Sequence, residues 1–176
     1  MEKLLDAAEY LFYERGYQAV GMDEIRAASG LSLKRIYSLV GSKEQLAVRM
    51  LRRRDEKWHA DLKAYVDKAS EDQYLVAIFD WLYDWLSGAG HRGCAWINAA
   101  GEMGAISPPI LNEAQCHKKR FLGFIREITK NCGLSEDVAT TIFLLAEGCM
   151  TTVGINGDTS VVRDAQRHVE QMVQRA

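Results

Sequence analysis

Apolar residues recur three and four positions apart from the start of the chain. Leu4, Leu5, Ala8, Leu11 and Phe12 form one stripe of a helix predicted over 2–15, and Gly16 follows as a residue able to stop it at positive φ. A helix of two turns is predicted over 22–29, with Asp23 and Glu24 at the end where the helix dipole favours acids, and Gly30 closes it. Ser32 is a good N-cap for a short helix over 33–39. After Gly41, Ser42 caps a long helix, since no Gly or Pro interrupts 43–68. Further helices are predicted over 71–86, stopped by Ser87-Gly88-Ala89-Gly90, and over 94–103, ending near Gly104. Pro109 fits the first turn of a helix that runs to about 132, with Gly133 as its stop. Ser135 precedes a helix to about 153, which Gly154 and Gly157 are expected to break. Asp158 or Ser160 then caps a last helix that reaches the C-terminus. Val and Ile never alternate with polar residues over a useful length, so no strand is predicted. The expected fold is all-α, with about nine helices.

Within this pattern, residues 22–40 hold two short helices joined by a tight Ser29-Gly30-Leu31-Ser32 turn. Ile25 and Ala28 are expected to face inward from the first helix, and Ile36 and Leu39 from the second. A small residue at the turn and apolar residues on the facing sides are what a helix-turn-helix requires, because they present the second helix outward to a DNA major groove. The domain boundary is placed after this module: 1–46 as a DNA-binding domain and 47–176 as a helical body.

Charge changes the picture more by its distribution than by its sum. The net charge of −2 alone argues against a nucleic-acid partner. Residues 22–54, however, carry eight Lys or Arg against three acids, giving 8 − 3 = +5, while 55–176 carry twelve against seventeen, giving 12 − 17 = −5. A local positive segment on an acidic chain is the footprint expected of phosphate contact. Within it, Arg52-Arg53-Arg54 reads as an ordinary solvated stretch of the long helix.

Leu5-Asp6-Ala7-Ala8, Phe12, Glu14-Arg15-Gly16-Tyr17, Met22-Asp23-Glu24-Ile25, Ala28 to Ser32, Ile36-Tyr37 and Ser42 to Leu46 resemble, in order and spacing, the TetR (tetracycline repressor-like) family of transcriptional regulators. The resemblance covers about the first 50 residues; the rest matches in length and helical character. It implies that 32–40 is the recognition helix, with Ser32, Lys34, Arg35, Tyr37, Ser38 and Lys43 as DNA-binding residues. Lys34 and Arg35 would reach base edges, where a bidentate Arg–guanine pair gives roughly 1–3 kcal/mol of discrimination. Tyr37 and Lys43 resemble the family's phosphate contacts, and Lys43 lies at a helix N-terminus, which favours anions. The chain departs from the family in three places. It begins almost on its first helix where a basic arm is common, it has Val20-Gly21 where Thr or Ser is usual before the second helix, and after Tyr37 it has Leu39-Val40-Gly41 where the family favours His-Phe before Pro or a similar residue.

The resemblance further implies a homodimer on a palindromic operator, repression, and release by an unknown small-molecule effector. The last two helices supply the dimer-interface candidates: Ile142, Leu145, Cys149 and Val153 on one, Val161, Ala165, Val169 and Met172 on the other. Trp58, Tyr65, Trp85, Trp96, Phe121 and Phe124, with Glu102 and His117 as polar groups, are the ligand-binding candidates. The alternative is a ligand-binding or protein-interaction dimer that has lost DNA binding.

Other functions find little support. There is no GxSxG, Walker or HExxH motif, so no catalytic residue is assigned and the chain is read as not an enzyme. The four cysteines, Cys94, Cys116, Cys132 and Cys149, form no CxxC pair and are expected to be reduced core residues. The four histidines give no four-ligand spacing with them, so no metal and no cofactor is expected. No run of 18 apolar residues and no signal-peptide core is found, which points to a cytoplasmic protein with no membrane partner.

Overall fold

The computed structural model describes residues 1–174. Within them the chain forms nine α-helices and one 3-10 turn: α1 (Glu2–Arg15), α2 (Met22–Ser29), α3 (Leu33–Val40), α4 (Lys43–Val66), the 3-10 turn Glu71–Gln73, α5 (Tyr74–Leu86), α6 (Ala95–Met103), α7 (Pro108–Asn131), α8 (Glu136–Asn156) and α9 (Ser160–Gln174). They fall into two compact units, one made of 1–56 and 95–117, the other of 57–94 and 118–174. The first unit therefore extends beyond residue 46 and takes in α6 and the start of α7.

In the first unit, Leu4, Ala8, Phe12, Ile25, Ile36, Leu46 and Met50 are at most 1 % exposed and form the core. Phe12 stacks on Tyr17 with ring centroids 5.0 Å apart, which anchors the α1–α2 connection. The arginine run is not a solvated stretch. Arg53 donates to Glu2 (3.0 Å), Asp6 (2.7 Å) and Glu9 (2.8 Å), all on α1. Arg54 also donates to Glu9 (2.6 Å) and lies 4.3 Å over the Tyr13 ring, while Arg52 holds Glu113 of α7 at 2.7 Å. Burial works against the Arg53 cation, but its carboxylate partners more than offset this and raise its pKa. The run is a clamp that binds α4 to α1 and α7.

Segment 95–117 is tied to the same unit by polar contacts. Gln18 donates its backbone N–H to a Glu102 carboxylate oxygen (3.1 Å) and its side-chain amide to the Glu102 carbonyl (2.6 Å). Ser107 donates to Glu44 at 2.6 Å. His117 is fully buried, with Nδ1 2.6 Å from Asp55 and its ring stacked on Trp96 at 3.5 Å.

In the second unit α5, α8 and α9 pack on one another. Ile78, Phe79, Leu82, Phe121, Ile125, Ile142, Ala146, Val162 and Val169 are buried. Trp58 meets the edges of Trp81 (4.9 Å), Trp85 (6.0 Å) and Phe121 (5.0 Å), and Trp81 stacks on Trp85 at 5.8 Å. α8 does not break at Gly154; it runs to Asn156 and ends at Gly157, whose φ is +71°. Gly154 is needed there for closeness rather than for a turn. A Cβ on it would lie 2.9 Å from the Arg92 carbonyl oxygen and 3.1 Å from Gly93 Cα. Two of the four cysteines depart from the core expectation: Cys94 and Cys149 are buried, Cys116 and Cys132 exposed. Among the described helices α8 alone is long and apolar enough to cross a membrane by length and composition, and it packs against α5 and α9.

Candidate nucleic-acid interface

Three helices and their caps build the site. Gly21 donates its backbone N–H to Glu24 at 3.1 Å, which supplies at the start of α2 what a capping Ser or Thr would otherwise give. That hydrogen bond, together with the ion pair from Arg15, holds the Glu24 carboxyl below its ordinary pKa. α2 ends at Gly30, left-handed at φ +69°, a conformation that glycine adopts without strain. Leu31 N–H reaches the Ser29 hydroxyl at 3.4 Å, and Ser32 caps α3 by accepting from Arg35 N–H at 3.2 Å.

The facing sides of the two helices differ from the expected phase. Ile25 and Ser29 are buried on α2, whereas Ala28 is exposed; Ile36 and Val40 are buried on α3, whereas Leu39 is half-buried. The i, i+4 pairs Ile25/Ser29 and Ile36/Val40 thus carry the packing. Ser29 can be inward because its hydroxyl is satisfied locally, donating to the Arg26 carbonyl at 3.4 Å.

With Ile36 and Val40 inward, α3 turns Lys34, Arg35, Tyr37 and Ser38 outward. Tyr37 is 45 % exposed, large for an aromatic ring without a use for solvent. Among the described residues the side chains of Lys34 and Arg35 make no ion pair or hydrogen bond. The other cations of the basic segment are mostly engaged: Arg26 with Asp23 (3.3 Å), and Arg52, Arg53 and Arg54 in the clamp. The positive charge left for a partner is therefore concentrated on α3, with Arg49 exposed farther along on α4. Ser38 spends its hydroxyl proton on the Arg35 carbonyl at 2.8 Å and keeps lone pairs, whereas Ser32 accepts as a cap and keeps its proton free to donate.

Ser42 caps α4, accepting from Gln45 N–H at 3.1 Å, and Gly41 before it has φ +76°. Lys43, half-buried at this N-terminus, lies 5.9 Å over the Phe12 ring. Burial lowers its pKa, and Glu102 and Glu24 oppose the shift. Residues 4–50 match the family model described as bacterial regulatory proteins, tetR family. Over these residues the chain is similar to the TetR family.

Solved TetR structures agree along the whole length. A TetR-family transcriptional regulator from Streptomyces coelicolor superposes with a TM-score of 0.89 at 24 % identity, covering 99 % of this chain and 93 % of the other. A TetR regulator from Legionella pneumophila gives 0.84 at 20 % identity, covering 97 % and 95 %. One from Chloroflexus aurantiacus gives 0.83 at 19 %, covering 98 % and 93 %. At these identities the likeness is one of fold. No curated protein matches the chain.

The residues of the other expected sites lie as follows. Of the ligand-binding candidates, Trp58, Trp85 and Phe121 pack against one another in the second unit, and Trp96 and His117 stack in the first. Glu102 is engaged with Gln18, and Phe124 is half-buried. Tyr65 lines a cavity of about 400 Å³ with Gln73 and Asp80, and a second cavity of about 780 Å³ is bounded by Glu71, Tyr74, Asn131 and Val173. Of the interface candidates, Ile142, Cys149, Val153, Ala165 and Val169 are buried within the unit itself, while Leu145, Val161 and Met172 are half-buried. The exposed apolar positions of α8 are Leu144 (62 %) and Ile155 (78 %).

Proposed function

We propose that this protein is a sequence-specific transcriptional repressor that binds a palindromic operator as a homodimer and leaves it when a small molecule binds the body. The observation that carries the reading is the separation of charges in the first unit. Arg52, Arg53 and Arg54 are each paired with carboxylates of the same unit, while Lys34 and Arg35, on the outer face of α3, have no such partner among the described residues. In this reading Lys34 and Arg35 contact base edges. Tyr37, Ser32 and Lys43 contact phosphates, joined by Arg49, which the sequence pattern did not single out, and Ser38, its proton held by the Arg35 carbonyl, accepts from a base amino group.

A single helix-turn-helix reads few base pairs, and a dimer doubles the site. The surface that suits a second copy is the stripe Thr141, Leu144, Gly148, Thr151 and Ile155 of α8, uncharged and spaced three and four apart. An effector would enter one of the cavities of the second unit, which have the size of a small-molecule site. The protein would act in the cytoplasm, where its operator is.

The test is a titration of the purified protein onto DNA from upstream of its own gene, across a salt series, with footprinting of the bound fragment. The reading expects a protected, near-palindromic site and an affinity that falls steeply with salt. Equal affinity for that fragment and for scrambled DNA at every salt concentration would contradict it.

A further inference from the structure

Asp55 and His59 stand four residues apart on α4, so the helix itself sets a carboxylate and an imidazole side by side on one face. His117 of α7 brings a second imidazole, with Nδ1 2.6 Å from Asp55 Oδ1. One ligand atom from each of the three lies within 4.8 Å of the others. Both histidines are buried, and Nε2 of each ring is closed off from solvent. Asp55 keeps 19 % of its side chain exposed and gives the cluster its opening.

The surroundings fix these groups in place. One turn before Asp55 and His117, Arg52 and Glu113 join the same two helices at 2.7 Å. Trp96 lies flat on the His117 ring at 3.5 Å, and Trp58 meets the His59 ring edge-on at 4.9 Å. Two imidazoles and one carboxylate are a donor set that suits divalent transition cations, zinc above all, at about 2.0–2.2 Å per bond. Magnesium and calcium take oxygen ligands, and copper(I) takes sulfur, so the chemistry of the cluster favours neither. The cluster has no signature spacing in the sequence, because Asp55 and His117 are 62 residues apart.

We propose that Asp55, His59 and His117 bind one divalent transition-metal ion of the zinc type, with water in the remaining coordination position. The ion takes the place of the proton between Asp55 and His117, and that proton leaves to solvent. The pair opens from hydrogen-bond distance to about 3.3 Å, the separation of two donors at about 2.0 Å from a tetrahedral ion. A bound ion adds a link between α4 and α7 and stabilises the folded chain by mass action. The inference stands apart from the repressor reading, since it concerns occupancy of this cluster and not DNA.

The test uses the full chain with Cys116→Ser and Cys132→Ser, which removes the two exposed thiols as competing ligands. After dialysis against a chelator it is titrated with Zn²⁺ by calorimetry and with Co²⁺ by absorption. The expected result is one ion per chain, with cobalt ligand-field bands and no sulfur-to-cobalt charge-transfer band. His59→Gln leaves Asp55 and His117 in place and should weaken zinc binding at least about a hundredfold. Equal affinity with and without His59→Gln would overturn the proposal, as would a failure to bind zinc at all, which would leave Asp55 and His117 as a hydrogen-bonded pair only. Should His59→Gln not fold, the cobalt titration of the parent decides alone. Ligand-field bands that saturate at one equivalent support the site, and their absence refutes it.

Discussion

Arg53 and Arg35 are the same residue type in the same basic segment, and the structure gives them opposite tasks. Arg53 closes α4 onto Glu2, Asp6 and Glu9 of α1, while Arg35 faces solvent from α3. Hydrogen bonds between charged groups at a partly exposed site contribute modestly, so Arg53→Ala is expected to cost about 1–2 kcal/mol of stability. Arg49→Ala, which has no partner to lose among the described residues, should stay within about 0.5 kcal/mol. Equilibrium urea unfolding of both variants checks the pair, and equal losses would mean the clamp carries no stability. The sequence could not separate these arginines, because the acids that meet Arg53 lie 44 to 51 residues away. The exposed face of α3 was legible, since Ile36 fixes which way that short helix turns.

At the scale of elements, caps were the most readable feature and helix phase the least. Ser32, Ser42, Gly16, Gly30 and Gly41 mark ends that the structure confirms. These are local backbone requirements, carried by the residue itself. Phase depends on what packs opposite, so Ser29 displaced Ala28 from the inner face and the buried side of α8 took most of the residues expected at its surface. Gly154 shows the same limit, because a glycine in sequence does not say whether it breaks a helix or lets another segment approach. Gly154→Ala should improve helix propensity by roughly 1 kcal/mol and still destabilise the protein by about 1–3 kcal/mol net, since the obstructing atoms are backbone. Gly123→Ala on α7 meets open space and should stabilise by about 0.5–1 kcal/mol. Thermal melting of the two variants measures the contrast, and a stabilising Gly154→Ala would refute the close-approach reading.

For the whole molecule, the fold carries a helix-turn-helix unit and a helical body in one chain, and the proposed repressor function needs two such chains acting together. Leu144 and Ile155 leave apolar surface exposed on α8, which a second copy would cover. Leu144→Glu with Ile155→Glu is expected to turn the dimer into a folded monomer and to weaken operator binding at least about tenfold. Sedimentation velocity reads the first effect, and an unchanged dimer would place the interface elsewhere. This part of the molecule was the least legible in sequence, because the sequence of an apolar helix does not distinguish a core face from a face left for a partner. The central claim, that α3 reads DNA sequence through Lys34 and Arg35, is tested most directly by comparing operator and scrambled DNA for the parent protein and for Lys34→Ala/Arg35→Ala at one salt concentration. The account predicts that the double variant stays folded and dimeric, keeps weak binding to both DNAs, and loses at least about tenfold in preference for the operator. A double variant that retains the parent's preference would contradict it.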